Sequence, residues 1–136
     1  MPAAPVLDSY ALLAFFRDEP GVEQVAALLE KAGVRDAPLH MTEVSFAEVK
    51  YMVIRKDGPE RWIEIARDLP ALPIEFHPAT RALADEAAGF KARFRISLAE
   101  AFAAALAKER KAELVTGDSE FKALEKEIRI AWLPNL

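Results

Sequence analysis

The side chains of this chain that could carry a reaction are acids. Asp8 closes the short apolar run Pro5-Val6-Leu7, and Asp118 follows a second one, Leu114-Val115-Thr116, after a single glycine. Glu48 lies in a stretch with helical spacing, on the side shared with Val44 and Met52. Glu100 is the one charged residue between Leu98 and Ala107, in a run that otherwise reads as a helix buried on most sides. Open α/β sheets keep their chemistry in loops at the carboxyl ends of parallel strands. If the first and fourth strands are neighbours, Asp8 and Asp118 leave the sheet at the same edge, and the two helical acids can close over them. Carboxylates crowded in this way raise one another's pKa, a penalty that a divalent cation removes. Mg2+ takes a few carboxylates together with waters and phosphate oxygens of a substrate. The chemistry that fits is metal-assisted hydrolysis of a phosphodiester, in which the metal acidifies a bound water and stabilises charge on the phosphate.

Each acid also fits a purely structural role. Ser45-Phe46-Ala47-Glu48 and Ser97-Leu98-Ala99-Glu100 both match the capping box, in which a Glu bonds back to the start of its own helix. Asp8 and Asp118 could be N-caps of the segments that follow them. The joint arrangement of all four favours a site, and a cap can also orient an anionic group. Thr116 could hydrogen-bond a site carboxylate or simply fill a strand position. Glu120 reads as a solvated turn residue, with a fifth site carboxylate as the alternative. Lys91-Ala92-Arg93-Phe94-Arg95 interleaves bases with an aromatic, a pattern suited to single-stranded nucleic acid. Cations closing a helix C-terminus are the plainer reading. His40 reads as a strand residue and His77 as a turn residue. Their separation in sequence argues against a His-rich zinc site.

Composition narrows the classes. With 52% hydrophobic and 29% charged residues, the 136-residue chain has the make-up of a globular protein with a core of its own, read as one domain over residues 1–136. No apolar run reaches the length of a membrane span, and the N-terminus carries no signal-peptide pattern. There are no cysteines, which removes disulfides, Cys-ligated zinc and thiol catalysis and agrees with a cytoplasmic location. The net charge of −4 at first argues against a nucleic-acid partner. Setting the four acids aside as one metal site leaves as many acids as the 18 Lys and Arg, so the excess need not spread over the surface.

The elements that must position these residues alternate along the chain. Strands are expected at Pro5–Leu7, Pro38–Met41, Leu72–Phe76, Leu114–Thr116 and Ile128–Leu133. Helices are expected at Tyr10–Phe16, at Val22–Ala32 with Gly33 as its stop, and at Thr42–Lys56. Another starts at Pro59, with Trp62, Ile63, Ala66 and Leu69 as its apolar face. Further helices are expected from His77-Pro78 to about Lys91, through the run bearing Glu100, and at Phe121–Lys126. Short apolar strands taking turns with helices imply a parallel sheet covered on both faces.

Taken together, Val6-Leu7-Asp8-Ser9, the helix bearing Glu48, Ser97-Leu98-Ala99-Glu100-Ala101-Phe102 and Thr116-Gly117-Asp118-Ser119-Glu120-Phe121 resemble a PIN domain, in particular the VapC-type toxins of prokaryotic toxin–antitoxin systems. The resemblance covers nearly the whole chain. It implies a three-layer α/β/α sandwich on a central parallel sheet of about five strands. It implies a Mg2+- or Mn2+-dependent ribonuclease acting on RNA, and a homodimer held inactive by a small antitoxin protein. By this resemblance Asp8, Glu48, Glu100 and Asp118 match the family's acidic cluster. Asp8, Glu100 and Asp118 would hold metal, and Glu48 would complete the shell or orient the attacking water. The family most often has Asp where this chain has Glu100. The added methylene moves the carboxylate by about one C–C bond, on the scale of the ~1 Å misplacement that can slow a reaction about 10²-fold. That departure keeps a second expectation open, a non-catalytic PIN-like module that binds RNA or protein.

Overall fold

The computed structural model describes residues 3–134. Five strands, β1 (Val6–Leu7), β2 (Leu39–Thr42), β3 (Ile74–His77), β4 (Leu114–Thr116) and β5 (Ile130–Trp132), form one sheet in the order β3-β2-β1-β4-β5. Every pairing is parallel. Six helices connect them: α1 (Ser9–Phe16), α2 (Val22–Arg35), α3 (Glu43–Asp57), α4 (Pro59–Asp68), α5 (Arg81–Arg93) and α6 (Leu98–Arg110). A 3₁₀ segment, Ser119–Leu124, links β4 to β5.

The two faces of the sheet follow from the alternation of side chains along a strand. Leu7, Leu39, Met41 and Val115 point into one core, with residues of α1 to α4. Val6 and Leu114 point into the other, built mainly from α5 and α6. Helix α6 is buried continuously from Glu100 to Ala107, and its alanines let it lie close against the sheet. This is the three-layer α/β/α arrangement expected from the sequence.

Several local expectations shift. Gly33 does not stop α2, which continues to Arg35. The stop is Asp36, in the left-handed region at φ 52°, whose N–H bonds to Ala32 and Gly33 carbonyls. The apolar face of α4 is Trp62, Ile65 and Leu69, whereas Ile63 is 58% exposed. Trp62 packs inward, its ring edge-on to Phe46 at 5.7 Å. Helix α5 starts only at Arg81, because Thr80 is its N-cap and accepts from the Leu83 N–H. β3 lies two residues later than its hydrophobicity suggested at its start, since Leu69–Ala71 forms a 3₁₀ turn, and His77 belongs to the strand. The segment after Asp118 is 3₁₀ and begins at Ser119.

Candidate functional site

β1 and β4 are neighbours, with Leu7 paired to Val115, so both strands deliver their next residues to one edge of the sheet. Asp8 caps α1: one carboxylate oxygen accepts the Ala11 N–H at 2.9 Å, and the other accepts the Thr116 hydroxyl at 2.5 Å. Thr116 Oγ1 in turn accepts the Asp118 N–H at 3.0 Å. One buried threonine therefore ties the end of β1 to the residue that follows β4. Asp118 turns the chain into the 3₁₀ segment and accepts the Glu120 N–H at 3.0 Å.

Glu100 is set by the first turn of α6. The capping box is complete: Glu100 Oε1 accepts the Ser97 N–H at 2.7 Å, and Ser97 Oγ accepts the Glu100 N–H at 3.1 Å. The expected box at Ser45 and Glu48 does not form. The cap of α3 is Thr42, which accepts the Ser45 N–H at 2.9 Å. The Ser45 hydroxyl has no hydrogen-bond partner among the described residues. Glu48 thus lies one turn into the helix without a capping duty.

All four acids, with Glu120, Ser97 and Tyr10, line a single pocket of about 290 Å³. Carboxylate oxygens of Glu100, Asp118 and Glu120 lie within 4.8 Å of one another. Asp8 and Glu48 line the same pocket outside that tight trio. Among the described residues, none of these five acids forms a salt bridge. The electrostatic consequence falls on the buried members. Burial pushes the Asp8 carboxyl up to about 7, against the opposing pull of its bonds from Thr116 and Ala11, and Asp118 and Glu48 add to the rise. Glu100 is pushed up to about 9, first by burial, then by the adjacent carboxyls of Glu120 and Asp118. Only oxygen donors converge here, which is the donor chemistry of Mg2+ or Mn2+ and not of a soft metal.

The family model for the PIN domain matches residues 6–127. The chain belongs to the PIN domain family. Solved structures agree with the fold. The VapBC2 complex of Rickettsia felis bound to a promoter DNA fragment superposes with a TM-score of 0.75 at 15% identity, covering 96% of this chain and 98% of that one. A toxin–antitoxin complex from Klebsiella pneumoniae gives 0.65 at 16% identity, over 93% and 95% of the two chains. VapC20 of Mycobacterium tuberculosis, a toxin that cleaves the sarcin–ricin loop, gives 0.68 at 13% identity, over 88% and 94%. None of the curated proteins matches in sequence.

Within this PIN domain, Tyr10 in the pocket and the meeting of the two histidines were not expected from the sequence, and Glu120 lines the pocket as its alternative reading had it. Glu120 enters the pocket because the 3₁₀ turn brings it back over Asp118 and Glu100; its position two residues past Asp118 was the available signal. Tyr10 lines the pocket by lying across Gly117, where a Cβ would collide with its ring. His40 and His77 meet, Nδ1 to Nε2 at 2.9 Å, despite their distance in sequence. In the basic stretch before α6, Lys91 and Arg93 fall in the last turn of α5, the placement that the plainer reading requires. Arg93 makes a two-pronged bond to Glu127 at 2.8 Å and sits over Phe90 and Phe94, while Lys91 donates to the Ile96 carbonyl at 2.9 Å.

Proposed function

We propose that this PIN protein is a metal-dependent endoribonuclease, the toxin of a toxin–antitoxin pair. The observation that carries the reading is the convergence of Asp8, Glu48, Glu100 and Asp118 on one pocket, with no basic partner among the described residues. Asp8, Glu100 and Asp118 are assigned to hold Mg2+ or Mn2+, with Glu48 completing the shell or orienting water. Glu120 joins them as a fifth carboxylate. When bound, the cation supplies an acidified water and offsets charge on the scissile phosphate. The protein's own part is preorganisation. Thr116 and the Ala11 N–H hold the Asp8 carboxylate in one orientation, and the capping box holds Glu100. The solved relatives that are toxin–antitoxin complexes support a small antitoxin as partner, and a homodimer as the working form accompanies this proposal, as does a cytoplasmic location.

Purified protein with Mg2+ or Mn2+ is expected to cleave single-stranded RNA. Asp8→Asn keeps the size and the capping bond but not the charge, and should lower cleavage by roughly 10²-fold or more, the loss that misplacement of a catalytic group alone can bring. Far-UV circular dichroism checks that the fold survives. An Asp8→Asn protein as active as the wild type would refute the assignment. A second reading, a non-catalytic RNA- or protein-binding module, draws on the engagement of Glu100 with its own helix start. Calorimetric titration with Mn2+ separates the two: no binding, with no cleavage of mixed RNA, favours the module.

A further inference from the structure

Away from the acidic pocket, the sheet assembles a second group of ligating side chains. β2 and β3 run parallel, with His40 opposite Glu75 and Thr42 opposite His77. Glu75 and His77 are two apart on β3 and so share a face. Leu39 and Met41 point into the core under α1 to α4, which turns His40 to the opposite face of the sheet. His40 is buried, while Glu75 lies open to solvent on the edge strand.

Two contacts of hydrogen-bond length converge on one ring nitrogen. His77 Nε2 lies 2.9 Å from His40 Nδ1 and 3.2 Å from a Glu75 carboxylate oxygen. A ring nitrogen carries at most one proton. If that proton points to Glu75, it is drawn away from His40. If instead His40 donates to His77, the Glu75 carboxylate faces a lone pair. No placement of one proton serves both contacts well, whereas a cation among them accepts all three lone pairs. A tetrahedral zinc ion with ligands at about 2.0–2.1 Å sets them roughly 3.3 Å apart, a few tenths of an ångström from both contacts of His77 Nε2, and the three ligand atoms all lie within 4.8 Å of one another. Two borderline imidazoles with one carboxylate make a ligand set that suits zinc, unlike the all-oxygen set of the acidic pocket. Arg110 bears on His40 and opposes positive charge there. The Glu75 carboxylate offsets it, and the exposure of Glu75 lets water serve as a fourth ligand.

We propose that His40, Glu75 and His77 form a zinc site that ties edge strand β3 to β2, separate from the acidic pocket. The chain has only two histidines, so ring-nitrogen NMR of the tag-free, ¹⁵N-labelled protein reads the site directly. One equivalent of zinc chloride, added in excess Mg2+, should shift His40 Nδ1 and His77 Nε2, which Mg2+ alone leaves in place. Zinc should also raise the unfolding temperature. His77→Ala, checked for folding by circular dichroism, should weaken zinc binding by more than roughly tenfold, the loss that follows removal of even a supporting residue. Glu75→Gln, at an exposed position that does not threaten the fold, should weaken it in the same direction. Ring signals unmoved by zinc, or both variants binding zinc as tightly as the wild type, would overturn the proposal.

Discussion

At the scale of single residues, the pocket concentrates its tension on Asp8 and Glu100 and its order on Thr116. The Thr116 hydroxyl donates to Asp8 and accepts from the Asp118 backbone. Thr116→Val keeps the shape but leaves a buried carboxylate oxygen and an N–H without that partner. A loss of about 1–3 kcal/mol in urea unfolding is expected, and Asp8 should titrate higher still, because the lost bond was lowering its pKa. The raised acids also set a pH dependence. Each binds a proton in the folded protein at pH values where the unfolded chain, near its ordinary 3.8 to 4.5, has already released it. Stability therefore falls as pH rises through this window. His40 works the other way, its pKa lowered to about 4 by burial and then by Arg110, so its contribution is lost as pH drops below its ordinary 6.5. Above pH 6.5 the unfolded chain has little of the His40 proton left to lose, and the acids dominate. Metal-free protein should thus be less stable at pH 8.5 than at pH 6.5. Mn2+ should shrink that difference, as should Glu100→Gln, which keeps its bond to Ser97 but cannot ionise. The same Gln variant should lose RNA cleavage while gaining metal-free stability.

At the scale of elements, the helices are placed by their caps and their buried faces more than by propensity. Asp8, Thr42, Thr80 and Ser97 each accept a backbone N–H at the start of α1, α3, α5 and α6. Two of those caps belong to the site as well, so helix starts and acidic groups are built from the same residues. Gly89 has no such purpose in view. It lies inside α5, is exposed, and a Cβ built there meets nothing within 4 Å. Gly89→Ala should therefore stabilise the protein by about 0.5–1 kcal/mol, read as a shifted urea midpoint with unchanged slope. Cleavage should be unaffected, because α5 contributes no side chain to the pocket.

At the scale of the whole molecule, the proposed function asks a chain of net charge −4 to receive a polyanion at an acidic pocket. Long-range steering cannot favour that encounter at the pocket itself. Binding of RNA there should depend on a divalent cation. With the Asp8→Asn protein, which should bind without cutting, single-stranded RNA retention is expected to be strong in Mn2+ and to fall sharply in EDTA, measured by fluorescence anisotropy at fixed ionic strength. Equal retention in both conditions would place the RNA elsewhere on the surface.

What the sequence determined by itself is the alternation of short apolar strands with helices, and the placing of Asp8 and Asp118 just past strand ends. These are local properties, written in hydrophobic spacing and in cap residues such as Ser97 with Glu100. What only the tertiary structure decided is which distant residues meet. The parallel register of β2 with β3 brings His40 beside His77, and the 3₁₀ turn after Asp118 folds Glu120 into the pocket. Thr42 takes the place of Ser45 as the cap of α3 because β2 runs on to Thr42, so the helix begins only at Glu43. Register depends on hydrogen bonds between strands far apart in sequence, and the turn after Asp118, though held by local bonds, meets Glu100 only once α6 and β4 are packed together.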